Sequence, residues 1–199
     1  MFKTLQPLVL ASGSPRRRSL LRSAGVEFKV YPSRMDESAQ VGASAQRPPE
    51  IAERWAVLKA DSVSRLHPGL WILGADTIVV LDGGIFGKPS NAAEAVRMLA
   101  LLSGRAHEVI TGICLVRPGG KLSRSGSVTT LVRFKNLSIK KIEAYVRTGK
   151  PMDKAGAYGI QDRGAFLVRS VEGSYTNVVG LPLCETLDWL MDENIIEPV

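Results

Sequence analysis

Cysteine and histidine are scarce in this sequence, with two of each in 199 residues. Cys114 and Cys184 stand far apart, so there is no CxxC pair, no zinc pattern and no disulfide framework. Two reduced thiols in a cytoplasmic protein are the expectation. His67 and His107 are equally isolated, which argues against a histidine metal site and against a Ser-His-Asp triad. Long hydrophobic runs are missing too, and none approaches the length of a membrane span. Lys3 is followed by only a short apolar stretch, so no signal peptide and no membrane partner are expected. There is no internal repeat and no low-complexity segment.

Acidic residues are absent from the first 26 positions, where Lys3, Arg16, Arg17, Arg18 and Arg22 gather. The formal net charge is +7 and the pI about 9.6, a balance that suits a polyanionic partner. Nucleotide and nucleic acid both qualify. No zinc finger, RRM signature or long basic run is present, so the nucleic-acid reading rests on charge alone. The length suits one domain spanning residues 1–199, and 45% hydrophobic residues can build its core.

The positive charge is arranged with purpose. Pro7–Ala11 reads as a short buried strand, and Gly13 allows a sharp turn and close approach to a ligand. Ser14 is a good N-cap and Pro15 suits the first helical position. A helix start of this kind offers N–H groups and a positive dipole end to an anion. Arg16 and Arg17 in the first turn are unfavourable there unless an anion compensates, and guanidinium forks bind phosphate oxygens bidentately. Ser12, Ser14, Arg16 and Arg17 are therefore candidate phosphate ligands. The alternative is a solvated helix start with spare arginines.

The rest of the chain alternates strands and helices, with hairpins between. A helix over 15–24 ends at Gly25, and 26–31 alternates like a strand. Residues 32–47 are polar and loop-like. A helix follows Pro48-Pro49, with Ile51, Trp55, Leu58 and Leu66 on one face. Residues 71–81 are β in character, broken at Gly74-Ala75-Asp76, and Asp82-Gly83-Gly84 signals a hairpin. Ser90 or Asn91 caps a helix reaching Leu102. Residues 107–116 and 122–134 form strands joined at Pro118-Gly119-Gly120. Ser138 caps a helix ending at Gly149, a Gly-rich loop spans 150–164, 166–169 is a strand, and 182–191 is a last helix. This pattern predicts an α/β fold with a mixed sheet.

Asp76 is the sharpest chemical candidate, a carboxylate between two apolar runs. It could activate water or hold a divalent cation, or it could simply form an Asx turn. Lys88 is held between Gly87 and Pro89, as a point charge for phosphate or as a solvated loop lysine. Lys59 lies near the edge of a helical apolar face, from which its head could reach a cleft. Asp36 and Glu37 are adjacent loop acids, solvated on the plain reading. Gly156 and Gly159 let the 153–161 backbone approach a flat ligand, and Gln161 offers a donor and an acceptor to a pyrimidine edge. Tyr158 reads as a packing residue and Asp153-Lys154 as a local ion pair.

Four ordered segments carry a resemblance. They are Ala11-Ser12-Gly13-Ser14-Pro15-Arg16-Arg17, Leu73 to Val79 (Leu-Gly-Ala-Asp-Thr-Ile-Val), Gly87-Lys88-Pro89, and Asp153 to Gln161. Together they resemble the Maf family of nucleoside triphosphate pyrophosphatases, over about residues 8–187. The resemblance implies an elongated, strongly twisted mixed sheet flanked by helices, with a cleft between two lobes. The inosine triphosphate pyrophosphatases share that architecture. It implies Asp76 as proton acceptor, Lys59 and Lys88 as substrate lysines, and a divalent cation, Mg²⁺ or Mn²⁺, near Asp76 and Glu37. Arg16, Thr77 and Gln161 match the positions that mark the dTTP/UTP branch. The branch preferring 7-methyl-GTP carries an aromatic residue and a glutamate at the first and last of these. Implied alternatives are 7-methyl-GTP or a modified nucleotide as substrate, or a nucleotide-binding role linked to septum formation. A homodimer is left open.

Overall fold

A computed structural model of the chain describes residues 1–35 and 47–199. Its centre is a seven-stranded mixed sheet. β2 (Leu8–Leu10) lies between β3 (Lys29–Val30) and β4 (Trp71–Leu81), parallel to both. The order then continues antiparallel through β6 (Ala106–Val116), β7 (Leu122–Phe134) and β8 (Val168–Glu172). β5 (Gly84–Phe86) folds back on β4 as a hairpin. β1 (Phe2–Thr4) and β9 (Ile196–Pro198) make a separate two-stranded sheet that joins the chain ends. Among the described residues, six α-helices surround these strands: α1 (Pro15–Ser23), α2 (Pro48–Ser64), α3 (Ala92–Leu102), α4 (Ile139–Val146), α5 (Tyr175–Val179) and α6 (Leu183–Asp192).

β4 and β6 organise the molecule. Side chains alternate faces along a strand, and β4 uses both. Ile72 and Ile78 face α2, packing with Ala56, Ala60 and Val63 or with Ala52. On the opposite face, Leu73 and Ala75 belong to a core built with α1 and α6. Val79 and Leu81 belong to a second core built with α3 and α4. One strand thus runs through two cores, the physical form of the expected two lobes. Thr77 stands between them.

The helix α2 lies unusually close to the sheet. A Cβ on Gly74 would stand 2.4 Å from the Ala56 carbonyl oxygen, and one on Gly112 would stand 2.1 Å from that of Ala52. Small residues on both sides permit this approach. The expected apolar face of α2 is accordingly corrected. Trp55 and Leu58 are half-buried and Leu66 is exposed, while Ala52, Ala56, Ala60 and Val63 form the contact.

The break expected at Gly74-Ala75-Asp76 is also absent, because β4 pairs with β6 continuously from Ile72 to Val80. Asp76 sits opposite Gly112 in that ladder, so it is no Asx turn. Residues 166–169 divide differently from the expectation. Asp162–Leu167 is a 3-10 turn and the strand starts at Val168. The final helix begins at Leu183, as expected to within a residue.

Candidate active site

The outer edge of β4 is shared by two partners. β2 pairs with residues 71–73 and β5 with 79–81, leaving 74–78 of that edge uncovered by either strand. The turn after β2, the Gly87-Lys88 segment after β5, and the 153–161 segment surround this gap. They enclose a cavity of about 570 Å³. Ser12, Ser14, Arg16 and Arg17 line it from the first turn of α1, Lys59 from α2, and Asp76 and Thr77 from β4. Lys88 and Gln161 complete the set. The structure therefore brings together every candidate residue it describes. Glu37 and its neighbour Asp36 lie outside the described residues.

Local chemistry explains how each side chain arrives. Ser14 caps α1, its Oγ accepting from the Arg17 N–H at 3.5 Å, with Pro15 at the first helical position. Arg17 is buried, and it ties three elements together. Its Nε donates to the Gly180 carbonyl at 2.7 Å, Nη1 to Ser12 Oγ at 2.9 Å and Nη2 to Thr77 Oγ1 at 3.0 Å. Arg16 reaches across the mouth to Asp153, 2.9 Å away. Asp153 also pairs with Lys154, the local ion pair expected from sequence. Burial opposes ionisation of Asp153, but the donors Lys154 and Arg16 outweigh it and hold the carboxyl below its usual range.

Opposite faces of β4 give the cavity two characters. Asp76 points toward α2, where Lys59 Nζ donates to its Oδ1 at 2.5 Å. Both side chains are nearly shut off from solvent, 4% and 6% exposed. Close packing of α2 on Gly74 and Gly112 sets that distance. On the other face the lining is apolar, with Val79, Val109, Tyr158, Ile160 and Val178. Tyr158 packs edge-on against Phe134 and His107, and its hydroxyl meets His107 Nε2 at 2.8 Å. It is a packing residue, as expected. Burial pushes the His107 imidazole down to about 4 and, with Tyr145 nearby, raises the Tyr158 hydroxyl. Burial, helped by Glu53 and Asp61, pushes the Cys114 thiol up to about 12, which leaves it inert.

Sequence reasoning missed Thr111, Asn177 and Gly180, which support Thr77 from below. Thr111 Oγ1 lies 2.9 Å from Thr77 Oγ1 and donates to the Asn177 carbonyl at 3.1 Å. Asn177 is fully buried and donates through Nδ2 to Val109 O and Thr130 Oγ1. The available signal was a lone polar residue inside an apolar run at Thr111, in Val109-Ile110-Thr111-Gly112-Ile113, while Asn177, which follows Ser174-Tyr175-Thr176, carried none.

Among the described residues, no group of three or more His, Cys, Asp or Glu converges to hold a metal ion. Among the described residues, the buried Asp76 carboxylate in the cleft wall fits a cation shared with phosphate oxygens, the usual manner of Mg²⁺.

Comparison with known proteins agrees with this geometry. Residues 7–193 match the family described as Maf-like protein. The chain belongs to the Maf-like family. A "dTTP/UTP pyrophosphatase" of Symbiobacterium thermophilum is 52% identical over 94% of this chain and 93% of its own. One from Geotalea uraniireducens is 46% identical over 99% of this chain and all of its own. A solved nucleoside-triphosphatase / dITP/XTP pyrophosphatase from Mycobacterium abscessus overlays with a TM-score of 0.43. It shares 19% identity and covers 66% of this chain and 75% of its own. That likeness is too low to bear on the fold, which rests on the strand order above. Maf-like relatives thus share the whole length of the cleft-forming segments, from the turn after β2 to α6.

Proposed function

We propose that this protein is a nucleoside triphosphate pyrophosphatase acting on dTTP and UTP. The observation that carries the reading is the buried Lys59–Asp76 pair in the wall of a cleft rimmed by Arg16 and Lys88. Full-length relatives at 44–52% identity bear that name. The two-faced cleft orients the ligand. The triphosphate lies toward Asp76, Lys59 and Lys88, gripped also by Arg16, Arg17 and the N–H groups around Ser12–Ser14. The base lies in the apolar half, against Val79 and Val109, with Thr77 and Gln161 at its edge.

Water attacks the α-phosphorus. The new P–O bond forms as the bond from that phosphorus to the bridging oxygen breaks, and pyrophosphate leaves. Asp76 orients the water and takes its proton. Lys59 fixes the direction of the Asp76 carboxylate and lends its charge to phosphate oxygens. Catalysis of this kind is mainly positioning and charge neutralisation. Asp76, with Glu37 as the second acid, would share a Mg²⁺ or Mn²⁺ ion with the phosphates. When bound, that ion offsets charge on the leaving pyrophosphate. Cys114 and Cys184 are both free thiols, which suits a reducing cytoplasm.

A panel of nucleoside triphosphates with Mg²⁺ or Mn²⁺ tests the reading. Pyrophosphate is released from dTTP and UTP, and Asp76→Asn lowers kcat by about a hundredfold or more. No release from any nucleotide by folded protein would refute it.

A further inference from the structure

The first turn of α1 carries a cation where the helix dipole disfavours one. Arg16 follows Pro15 there, and no acidic residue stands in that turn. A positive charge in that place calls for an anion beside it. The opposite lobe supplies one. Arg16 Nη1 donates to Asp153 Oδ2 at 2.9 Å. Among the described residues, Asp153 is the one carboxylate paired with Arg16. Leu21 of α1 packs in the core that holds Leu73 and Ala75, whereas Met152, next to Asp153, packs against the core of α3 and α4. The pair therefore crosses the mouth from lobe to lobe, and both residues line the cavity.

Asp153 is fixed on its own side. Its second oxygen, Oδ1, accepts from Lys154 Nζ, which also donates to the Lys150 carbonyl at 2.6 Å. The Lys154 stem lies across Gly159, where a Cβ would stand 2.8 Å from Cε. Lys154 thus keeps hold of the Asp153 carboxylate whether or not Arg16 stays with it.

A carboxylate and a phosphate ask the same thing of Arg16, since each offers paired oxygens to a guanidinium fork. We propose, on the reading that the triphosphate lies against Arg16, that Asp153 is an internal stand-in for a phosphate group, and that ligand phosphate binds Arg16 by exchanging with it. Asp153 acts through Arg16 and is a positioning residue. The exchange lowers affinity, because Arg16 must give up one anion to gain another. It also eases release, because Asp153 takes Arg16 back as pyrophosphate leaves. The side chains of the pair are 24% and 59% exposed, and an ion pair so open to solvent shifts an equilibrium by a factor of about five at most. A polyphosphate, with its several charges, can displace it.

The test is calorimetric titration of the full chain with inorganic tripolyphosphate. Asp153→Asn binds it about fivefold more tightly than wild type. The KM for dTTP falls with it while kcat does not rise, and pyrophosphate becomes a stronger inhibitor by the same factor. Asp153 is exposed at the cleft mouth, so the substitution leaves the fold intact. Loss of a negative charge tightens the binding of an anion by itself, so the same substitution is also made in Arg16→Gln. There the gain vanishes, because no guanidinium is released. Unchanged or weaker binding in Asp153→Asn, or a gain that persists in the Arg16→Gln background, would overturn the proposal. Pyrophosphate release from dTTP without the gain would refute the proposal alone. The gain without release from any nucleotide would leave the proposal standing and refute the pyrophosphatase reading instead.

Discussion

Asp76 and Lys59 place two opposite charges in a nearly dry wall, 2.5 Å apart. Such pairs add little net stability, since desolvation offsets most of their attraction. Removing one partner is costly, because the survivor is left buried and uncompensated. Under the proposed function this pair is a poised site rather than a brace. His107 poses a separate question of charge. Its Nε2 meets Tyr158, while Nδ1 is buried without a partner among the described residues. Burial lowers its folded pKa from 6.5 to about 4. The unfolded chain therefore takes up this proton first. Stability from the neutral ring is intact above pH 6.5 and is lost as pH falls toward 4. The full loss is about 3 kcal/mol, the free-energy equivalent of that gap between the unfolded and folded values. Denaturant titrations at pH 7 and pH 5 check this, with His107→Gln as the non-titrating control. The variant shows a shallower fall over that interval, and an identical fall in both proteins would contradict the assignment. Asp76 was legible from sequence because a carboxylate between apolar runs is anomalous wherever it lands. Asn177 was not, because its role depends on carbonyls contributed by distant strands.

At the scale of elements, the contact of α2 with β4 and β6 controls the site. Alanines on one side and glycines on the other let the helix lie close enough for Lys59 to reach Asp76. Gly112→Ala would push a Cβ to 2.1 Å from the Ala52 carbonyl, so helix or strand must move. The expected cost is about 3 kcal/mol, with a loss of activity that exceeds the loss of folded protein. Gly69→Ala, which meets nothing within 4 Å, is the control and stays within about 0.5 kcal/mol of wild type. Thermal and denaturant unfolding of both variants checks this, and equal stability would contradict the close-packing account. Hydrophobic periodicity misplaced this face because alanine and glycine carry almost no pattern signal, while Trp55 and Leu58 draw the eye to the flank. Strong local signals were read correctly. Asn91 caps α3 by accepting from the Glu94 N–H, and β6 and β7 form the long hairpin expected around Pro118-Gly119-Gly120. β1 and β9 escaped notice because three-residue strands at opposite ends of the chain have no local signature. α5, five residues long, escaped for the same reason.

At the scale of the whole molecule, one sheet carries two cores and the cleft opens between them. The uncovered stretch of β4 is where the proposed catalytic and base-facing residues emerge, on opposite faces and one position apart. Asp76 and Thr77 are neighbours in sequence, so the pleat alone sends one toward the charged half of the cleft and the other toward its apolar half. In the proposed reading the α-phosphorus, the joint between base-bearing and leaving halves of the ligand, lies beside Asp76. The four motifs made the cleft legible from sequence, whereas its division into charged and apolar halves required the strand register. The most direct test of this placement is to run dTTP and UTP hydrolysis in ¹⁸O-labelled water and find the label by mass spectrometry. The account predicts that the label enters the nucleoside monophosphate and that pyrophosphate carries none. Label in pyrophosphate, or in free phosphate with a nucleoside diphosphate as co-product, would place the attack elsewhere and contradict it.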